Sequence, residues 1–308
     1  MIRISVLLCT HNPHPGRLDR CLQGLATQTL DRDQWELLAI DNASSPPLSL
    51  ATFRAAGAAS LRLLQESELG LTPARLAGIA AAEGDILVFV DDDNVLAPDY
   101  LRQALTFLDA EPKVGAAGGV LEGEFEVPPP RWLLPHLNLL GIRDFGERPI
   151  QALIYNQVGP WEPIGAGMVI RRSVACQYAR VAADPRRRCL DRRGRALASC
   201  GDTDMARCAP ELGLALAYEP SLRLLHLMPA ARVRYGYILR LVHGIKRSGI
   251  LLDRIRTGQP SQLGHPLAVG RQFLIRGLRL FTPDPRQWLL SLAALRGEIQ
   301  ARRVRLEG

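Results

Sequence analysis

Three consecutive carboxylates, Asp91, Asp92 and Asp93, end an apolar run, ILVFV, that reads as a β-strand. Like charges at one strand end repel each other unless a cation, or a partner carrying one, offsets them. An acidic D-x-D in such a place suits an octahedral, oxygen-loving divalent cation, Mg²⁺ or Mn²⁺, shared with a diphosphate. Such a cation screens the carboxylates and neutralises charge developing on a departing nucleotide diphosphate. On an extended backbone Asp91 and Asp93 alternate, so Asp92 is expected to face elsewhere. D-x-D also occurs in many solvated turns, so its surroundings have to decide.

Other chemically capable side chains stand at the ends of other apolar runs. ISVLLCT leads into Thr10-His11-Asn12, and the strand from Trp35 to Ile40 leads into Asp41-Asn42. CGDTDMARCAPELG places Asp202 and Asp204 at the start of a helix that stops near Gly213. An aspartate suits a base that takes a hydroxyl proton. His226 stands alone between Leu225 and Leu227, where a neutral imidazole is either a competent Mn²⁺ ligand or a packed core residue.

The elements that must position these residues alternate between strand and helix. After ISVLLCT, Leu18, Leu22 and Leu25 recur at helical spacing; LRLLQE, from Leu61, makes a third strand. Thr72 followed by Pro73 reads as a helix start, with Leu76, Ile79 and Ala80 as the inward face. This order implies an α/β fold, a Rossmann-like, mainly parallel central sheet with flanking helices. In such sheets the ligand crevice lies outside the carboxyl ends of the strands, so Thr10–Asn12, Asp41-Asn42 and Asp91–Asp93 are expected on one rim. Beyond Val114 the pattern turns irregular. PPPRWLLP reads as a surface crossing or lid, and WEPIGAGMVIRRS as a small-residue turn where backbone approaches a ligand closely. A basic loop, PRRRCLDRRGR, precedes CGDTD, and two strand-like runs, ALAYEP and LRLLHL, close the core.

In order and spacing, SVLLCTHN, IDNAS, ELGLTPARLAGIAAAEGDILVFVDDDNVL, IGAGMVIRR and CGDTD resemble a family 2 nucleotide-sugar glycosyltransferase, inverting and of GT-A fold. The resemblance runs from about Ile2 to about His226, and TPARLAGI with VDDDN are its most specific parts. It implies Thr10, His11 and Asn12 along the nucleoside, Asp41 on the base, and Arg75 on nucleotide or diphosphate. Asp91 would contact the ribose, with Asp92 in the same nucleotide-sugar-binding turn, and Asp93 and His226 would hold Mn²⁺ or Mg²⁺. Asp202 matches the acidic general base, with Asp204 the alternative. The family commonly has a glutamate just before the base, and here that place is Gly201. The implied partners are a nucleotide-sugar donor and a glycan or lipid-linked acceptor in polysaccharide or glycoconjugate biosynthesis. Two rival readings are a nucleotidylyltransferase, whose Gly-rich loop HNPHPGR does not match, and a nucleotide-sugar-binding protein without turnover, which would lack the base.

Composition bounds the rest. With 308 residues, 47% of them hydrophobic, the chain can bury a full core without staples. The six cysteines form no C-x-x-C pair, so a reducing compartment is the simplest setting. MIRISVLLCTHN reads as a first strand rather than a secretory leader, and no apolar run reaches the roughly 18 residues of a membrane span. A cytoplasmic protein is expected. The net charge of +7 is uneven: Met1 to Met228 holds 23 Lys+Arg against 27 Asp+Glu, and Pro229 to Gly308 holds 15 against 4. The division expected is therefore a catalytic domain, 1–228, and a helical basic C-terminal extension, 229–308. In the extension Ile238, Leu241, Val242 and Ile245 recur at helical spacing with Arg240, Lys246 and Arg247 between them. Such a helix suits peripheral binding to an anionic membrane surface at the inner face, or packing over the core with a solvated outer side. No nucleic-acid motif accompanies the charge, so no nucleic acid partner is expected.

Overall fold

The computed structural model describes residues 1–154, 157–192, 197–258 and 285–304. Part of the basic loop, 193–196, and residues 259–284 of the C-terminal extension lie outside the described residues. Among the described residues nine strands form one sheet: β1 (Ile4–Thr10), β2 (Trp35–Asn42), β3 (Ser60–Glu66), β4 (Ile86–Asp91), β5 (Asn94–Leu96), β6 (Val114–Phe125), β7 (Ile150–Ala152), β8 (Val169–Arg171) and β9 (Ala215–Met228). Their order is β3-β2-β1-β4-β8-β6-β9-β5, with β7 paired to β9. The expected parallel half is present as β3-β2-β1-β4; β8, β5 and β7 pair antiparallel and make the other half mixed. β1 lies between β2 and β4, so strand order reverses there and opens a crevice at the carboxyl ends.

The helices are α1 (Pro15–Ala26), α2 (Leu50–Phe53), α3 (Leu71–Ala81), α4 (Tyr100–Ala110), α5 (Arg172–Val181), α6 (Gly201–Ala206), α7 (Cys208–Glu211), α8 (Tyr235–Thr257) and α9 (Pro285–Arg303). β1 and β2 are buried along their whole length because helices cover both faces. Ile4, Val6 and Leu8 pack on one side with Leu22 and Leu25 of α1 and Leu101 and Leu108 of α4. Leu7 and Cys9 pack on the other with Ala74 and Ile79 of α3, Val174 and Tyr178 of α5, and Met205.

Helix α3 corrects two local expectations. It starts at Leu71 behind Gly70, and Thr72 is not its cap; the Thr72 hydroxyl donates instead to Asp191 Oδ2 at 3.3 Å. Its inward face is Ala74, Arg75, Gly78 and Ile79, while Ala80 is exposed. Smallness sets that face: a Cβ on Gly78 would lie 2.7 Å from Leu7 Cδ2, so glycine lets the helix sit close on β1. ALAYEP and LRLLHL are one strand, β9, of 14 residues, paired to β6 through a register shift at Gly118/Val120.

The crossing expected at PPPRWLLP is a chain of 3₁₀ turns, Arg131–Leu140, with Pro135 inside and a kink at His136. Its Leu133 and Leu140 pack against Ile238, Leu241 and Val242 of α8. The apolar stripe of α8 is thus buried in protein. Each such side chain contributes roughly 1.5–3 kcal/mol by leaving water, which outweighs the roughly 1 kcal/mol a basic residue gains at an anionic surface. Arg240 and Lys246 stay exposed. Among the described residues no helix is long and apolar enough to cross a membrane.

Candidate active site

At the carboxyl end of β1 and β4 lies a cavity of about 560 Å³. One wall is polar and holds Thr10, His11, Arg75, the Asp91–Asp93 turn, Asp202 and His226. The facing wall is apolar, made by Leu139 and Leu140 of the 3₁₀ crossing and by Tyr237, Leu241 and Ile245 of α8. Residues from both ends of the sequence therefore meet in one chamber of a size suited to a small ligand.

Asp91 is the last residue of β4, and Asp92 and Asp93 form a tight turn into β5 rather than an extended chain. Asp92 consequently does not face away: it lines the same cavity and accepts a short hydrogen bond from the Thr10 hydroxyl. Asn94 ties the turn, accepting from Asp91 N at 3.2 Å and donating to Asp93 Oδ1 at 3.1 Å. Antiparallel pairing of β5 with β9 puts Asn94 opposite His226, and that register brings His226 Nε2 to 3.4 Å from Asp93 Oδ1. Burial raises Asp91, with the Asp93 charge adding to it. Burial likewise pushes Asp92 up to about 6, against the pull of the Thr10 hydrogen bond. Burial would raise Asp93 too, but His226 and Arg232 beside it hold it at about 2.

Arg232 is the cation that the neighbouring sequence lacks. It stands on a 3₁₀ turn, Ala230–Val233, between β9 and α8. Its guanidinium donates to Asp93 Oδ2 at 2.8 Å and to His226 Nε2 at 2.9 Å. A guanidinium only donates, so Nε2 is the acceptor and a neutral ring carries its proton on Nδ1, which is buried with no hydrogen-bond partner among the described residues.

The donor set suits Mn²⁺ or Mg²⁺: one carboxylate and one imidazole, close together and open to the cavity. Among the described residues no three His, Cys, Asp or Glu side chains form a metal-holding group, so diphosphate oxygens and water would have to complete the shell.

The two carboxylates of CGDTD part company. Asp202 lines the cavity, its Oδ2 accepting from Gly165 N at 2.7 Å and its Oδ1 from Thr203 N at 2.8 Å. Asp204 is 1% exposed and locked between Arg187 and Arg256, the latter donating through Nε at 2.8 Å. The IGAGM turn lines the cavity through Ile164, Gly165 and Ala166 and brings backbone close to these side chains: a Cβ on Gly165 would lie 2.5 Å from Arg75 Nη2 and 3.3 Å from Asp202.

Arg75 is buried on the inward face of α3, 5.8 Å from the Phe89 ring centre, and donates to Asp191 Oδ2 at 3.1 Å. Asp191 also explains Gly201: a Cβ there would lie 2.3 Å from Asp191 Oδ2. The space a side chain at 201 would need is filled by a carboxylate from the basic loop. Burial raises Asp191, and Arg75 opposes that. Asp191 and Arg232 escaped sequence reading; the only trace of Asp191 was an acid amid arginines.

Two expected residues are turned elsewhere. Asp41 is fully buried and its carboxylate closes the following loop, accepting from Ser44 N at 3.2 Å and Leu48 N at 2.8 Å. Burial would raise it, and these hydrogen bonds lower it overall. Asn12 bonds Ser44 and Ser45 and borders a second cavity of about 550 Å³. Neither lines the first cavity. Asn42 does, and its side chain fixes the turn into α3 by donating to Glu68 O at 2.7 Å and accepting from Gly70 N at 2.8 Å.

A strand-order reversal with an acidic rim and a buried arginine marks the crevice at the carboxyl ends of the strands, where sheets of this kind take their ligands. Residues 5–175 match the model of glycosyl transferase family 2, over half of the chain, and the chain belongs to that family. It is similar to the amylovoran biosynthesis glycosyltransferase AmsE of Erwinia amylovora, 28% identical over 38% of this chain and 44% of that one. It is likewise similar to an N-acetylglucosaminyltransferase of Bradyrhizobium elkanii, 27% identical over 38% of this chain and 65% of that one. Succinoglycan biosynthesis protein ExoW of Rhizobium meliloti is 29% identical over 36% of each chain. The alignments thus span less than two thirds of each relative's length. Among solved structures, the mannosyltransferase PcManGT of Pyrobaculum calidifontis, in complex with GDP-Man and Mn²⁺, superposes with a TM-score of 0.60 at 19% identity, covering 97% of this chain and 86% of that one. Residues 1–349 of S. aureus TarS give 0.50 at 12% identity, over 98% and 90% of the two chains. Both likenesses are of fold.

Proposed function

We propose that this protein is a metal-dependent, inverting glycosyltransferase that moves a sugar from a nucleoside-diphosphate donor to a glycan or lipid-linked acceptor in polysaccharide or glycoconjugate biosynthesis. The observation that carries this reading is the meeting of the Asp91–Asp93 turn, His226 and Asp202 in one cavity. Relatives named for amylovoran and succinoglycan biosynthesis support the setting.

In this reading the donor's nucleoside lies along Thr10 and His11, with Asp91 and Asp92 toward the ribose and Arg75 toward the diphosphate. Asp93 and His226 hold the divalent cation, which when bound supplies neutralisation of the diphosphate's charge. Asp202 takes the proton from the acceptor hydroxyl. The acceptor oxygen forms its bond to the anomeric carbon as the carbon–oxygen bond to the diphosphate breaks, and the electron pair leaves with the nucleoside diphosphate. The backbone N–H groups of Gly165 and Thr203 fix the carboxylate for that transfer. Asp41 and Asn12 act by shaping the loops around the nucleoside pocket rather than from the cavity wall. The apolar wall of Leu139, Leu140 and α8 suits the non-sugar part of an acceptor.

The test is nucleoside diphosphate release across UDP-, GDP- and TDP-sugars, with and without Mn²⁺. Turnover of one donor that excess EDTA stops supports the proposal; tight donor binding with no release under any condition reduces the protein to a binder. The reading also includes peripheral, charge-driven association with an anionic membrane surface, since α8 exposes Arg240 and Lys246 while its apolar side is packed. Co-sedimentation with anionic vesicles should fall as salt rises and should weaken when Arg240 and Lys246 are changed to Gln. Failure to sediment at low salt overturns the membrane part alone.

A further inference from the structure

Arg232 has a consequence for the order in which ligands enter. Its guanidinium occupies Asp93 Oδ2 and His226 Nε2, the two atoms proposed to face the cation. His226 Nε2 has a single lone pair, so it cannot accept from Arg232 and bind a divalent cation at the same time.

We infer that Arg232 and the divalent metal compete for Asp93 and His226, so that the donor-free protein holds its own counter-cation and the metal enters together with the nucleoside diphosphate. This rests on the proposed metal site. The geometry gives three reasons for the exchange. Arg232 stands on the 3₁₀ turn between β9 and α8, and the core contact of that turn is made by Val233, so the Arg232 side chain can move without unpacking the turn. His226 Nδ1 has no hydrogen-bond partner among the described residues, so no polar contact on that side ties the ring. Finally, the metal's incoming diphosphate ligands compensate for what Arg232 gives up, because the released guanidinium remains beside the cavity, where that diphosphate is a new acceptor. A ligand shifts such an equilibrium only by its differential affinity, and the diphosphate supplies it.

The measurement is Mn²⁺ binding to the full chain, followed by the loss of the free-ion electron paramagnetic resonance signal, without nucleotide and with saturating UDP or GDP. For the unsubstituted protein, binding should be weak alone and tight with the nucleoside diphosphate. Arg232→Ala should tighten nucleotide-free Mn²⁺ binding by roughly 5- to 150-fold, the ordinary size of a coupling between two ligands. Arg232→Lys, which keeps the charge but not the two-pronged contact, should tighten it less, and serves if the alanine protein does not fold. Arg234→Ala removes an exposed charge next door and should change nothing. Equal Mn²⁺ affinity in the unsubstituted, Arg232→Ala and Arg232→Lys proteins, with binding lost in Asp93→Ala, overturns the competition and leaves the metal site standing. No Mn²⁺ bound by any form, even with nucleoside diphosphate, overturns both.

Discussion

Two acidic clusters in this protein sit at the ends of neighbouring elements and are built on opposite plans. In the Asp91–Asp93 turn the carboxylates face a cavity, and among the described residues Arg232 pairs with Asp93 while Arg75 acts on Asp91 through space. Around Asp204 the balance is reversed: one carboxylate is enclosed by Arg187 and Arg256, with Glu211 bound to the outer side of Arg256. The first cluster has capacity left for a cation and the second has none. Asp202 shares its helix with Asp204 yet belongs with the first cluster, because its oxygens are held by backbone N–H groups and not by cations. Acid density alone therefore does not mark a site; orientation and uncompensated charge do.

Substitutions can break this contrast, beginning where the effect is largest. Asp93→Ala should abolish donor turnover, measured as nucleoside diphosphate release, while the far-ultraviolet circular dichroism and melting profile stay near those of the unsubstituted protein. Excess EDTA should do the same to the unsubstituted enzyme, and full activity in EDTA would sink the metal reading. Asp191→Asn sits between the two plans, since it leaves buried Arg75 without its carboxylate. A hydrogen bond to a charged group is worth roughly 1.5–3 kcal/mol, so the donor KM should rise by about tenfold or more if Arg75 serves the diphosphate. An unchanged KM with a lowered melting temperature would make the pair purely structural. Asp204→Asn should cost about 2 kcal/mol of stability in urea unfolding for the same reason, with kcat per folded molecule changed only a few-fold.

How far the sequence carried these conclusions differs from one cluster to the other. The rim residues at the ends of β1 and β4 were legible because continuous apolar runs report strands buried on both faces, and the next polar residue must lie at the sheet's edge. The β-α-β order likewise gave the parallel half of the sheet. What could not be read depended on contacts between distant segments. Strand β5 is three residues long, so no periodicity announces it, yet its register against β9 is what delivers His226 to Asp93. Arg232 and Asp191 lie in stretches whose arginines look like ordinary solvated charge. Asp41 and Asn12 look as suited to binding as Thr10 and His11, and only the folded loop at Ser44–Leu48 shows that their hydrogen bonds are already taken. In α3 Ile79 and Leu76 do face the core, whereas Ala74 and Gly78 pass unread because the value of small residues is closeness rather than apolar area.

The sharpest contrast between the two plans lies within CGDTD itself, and kcat for Asp202→Asn against Asp204→Asn, with one donor and saturating Mn²⁺, measures it most directly. Asp202→Asn keeps the shape but cannot take the acceptor proton, so kcat should fall by about 10²-fold or more with donor binding little changed. Asp204→Asn should keep kcat within a few-fold while losing stability. The reverse order would contradict the account, making Asp204 the base in spite of its two arginines and leaving the cavity-facing carboxylate without a catalytic role.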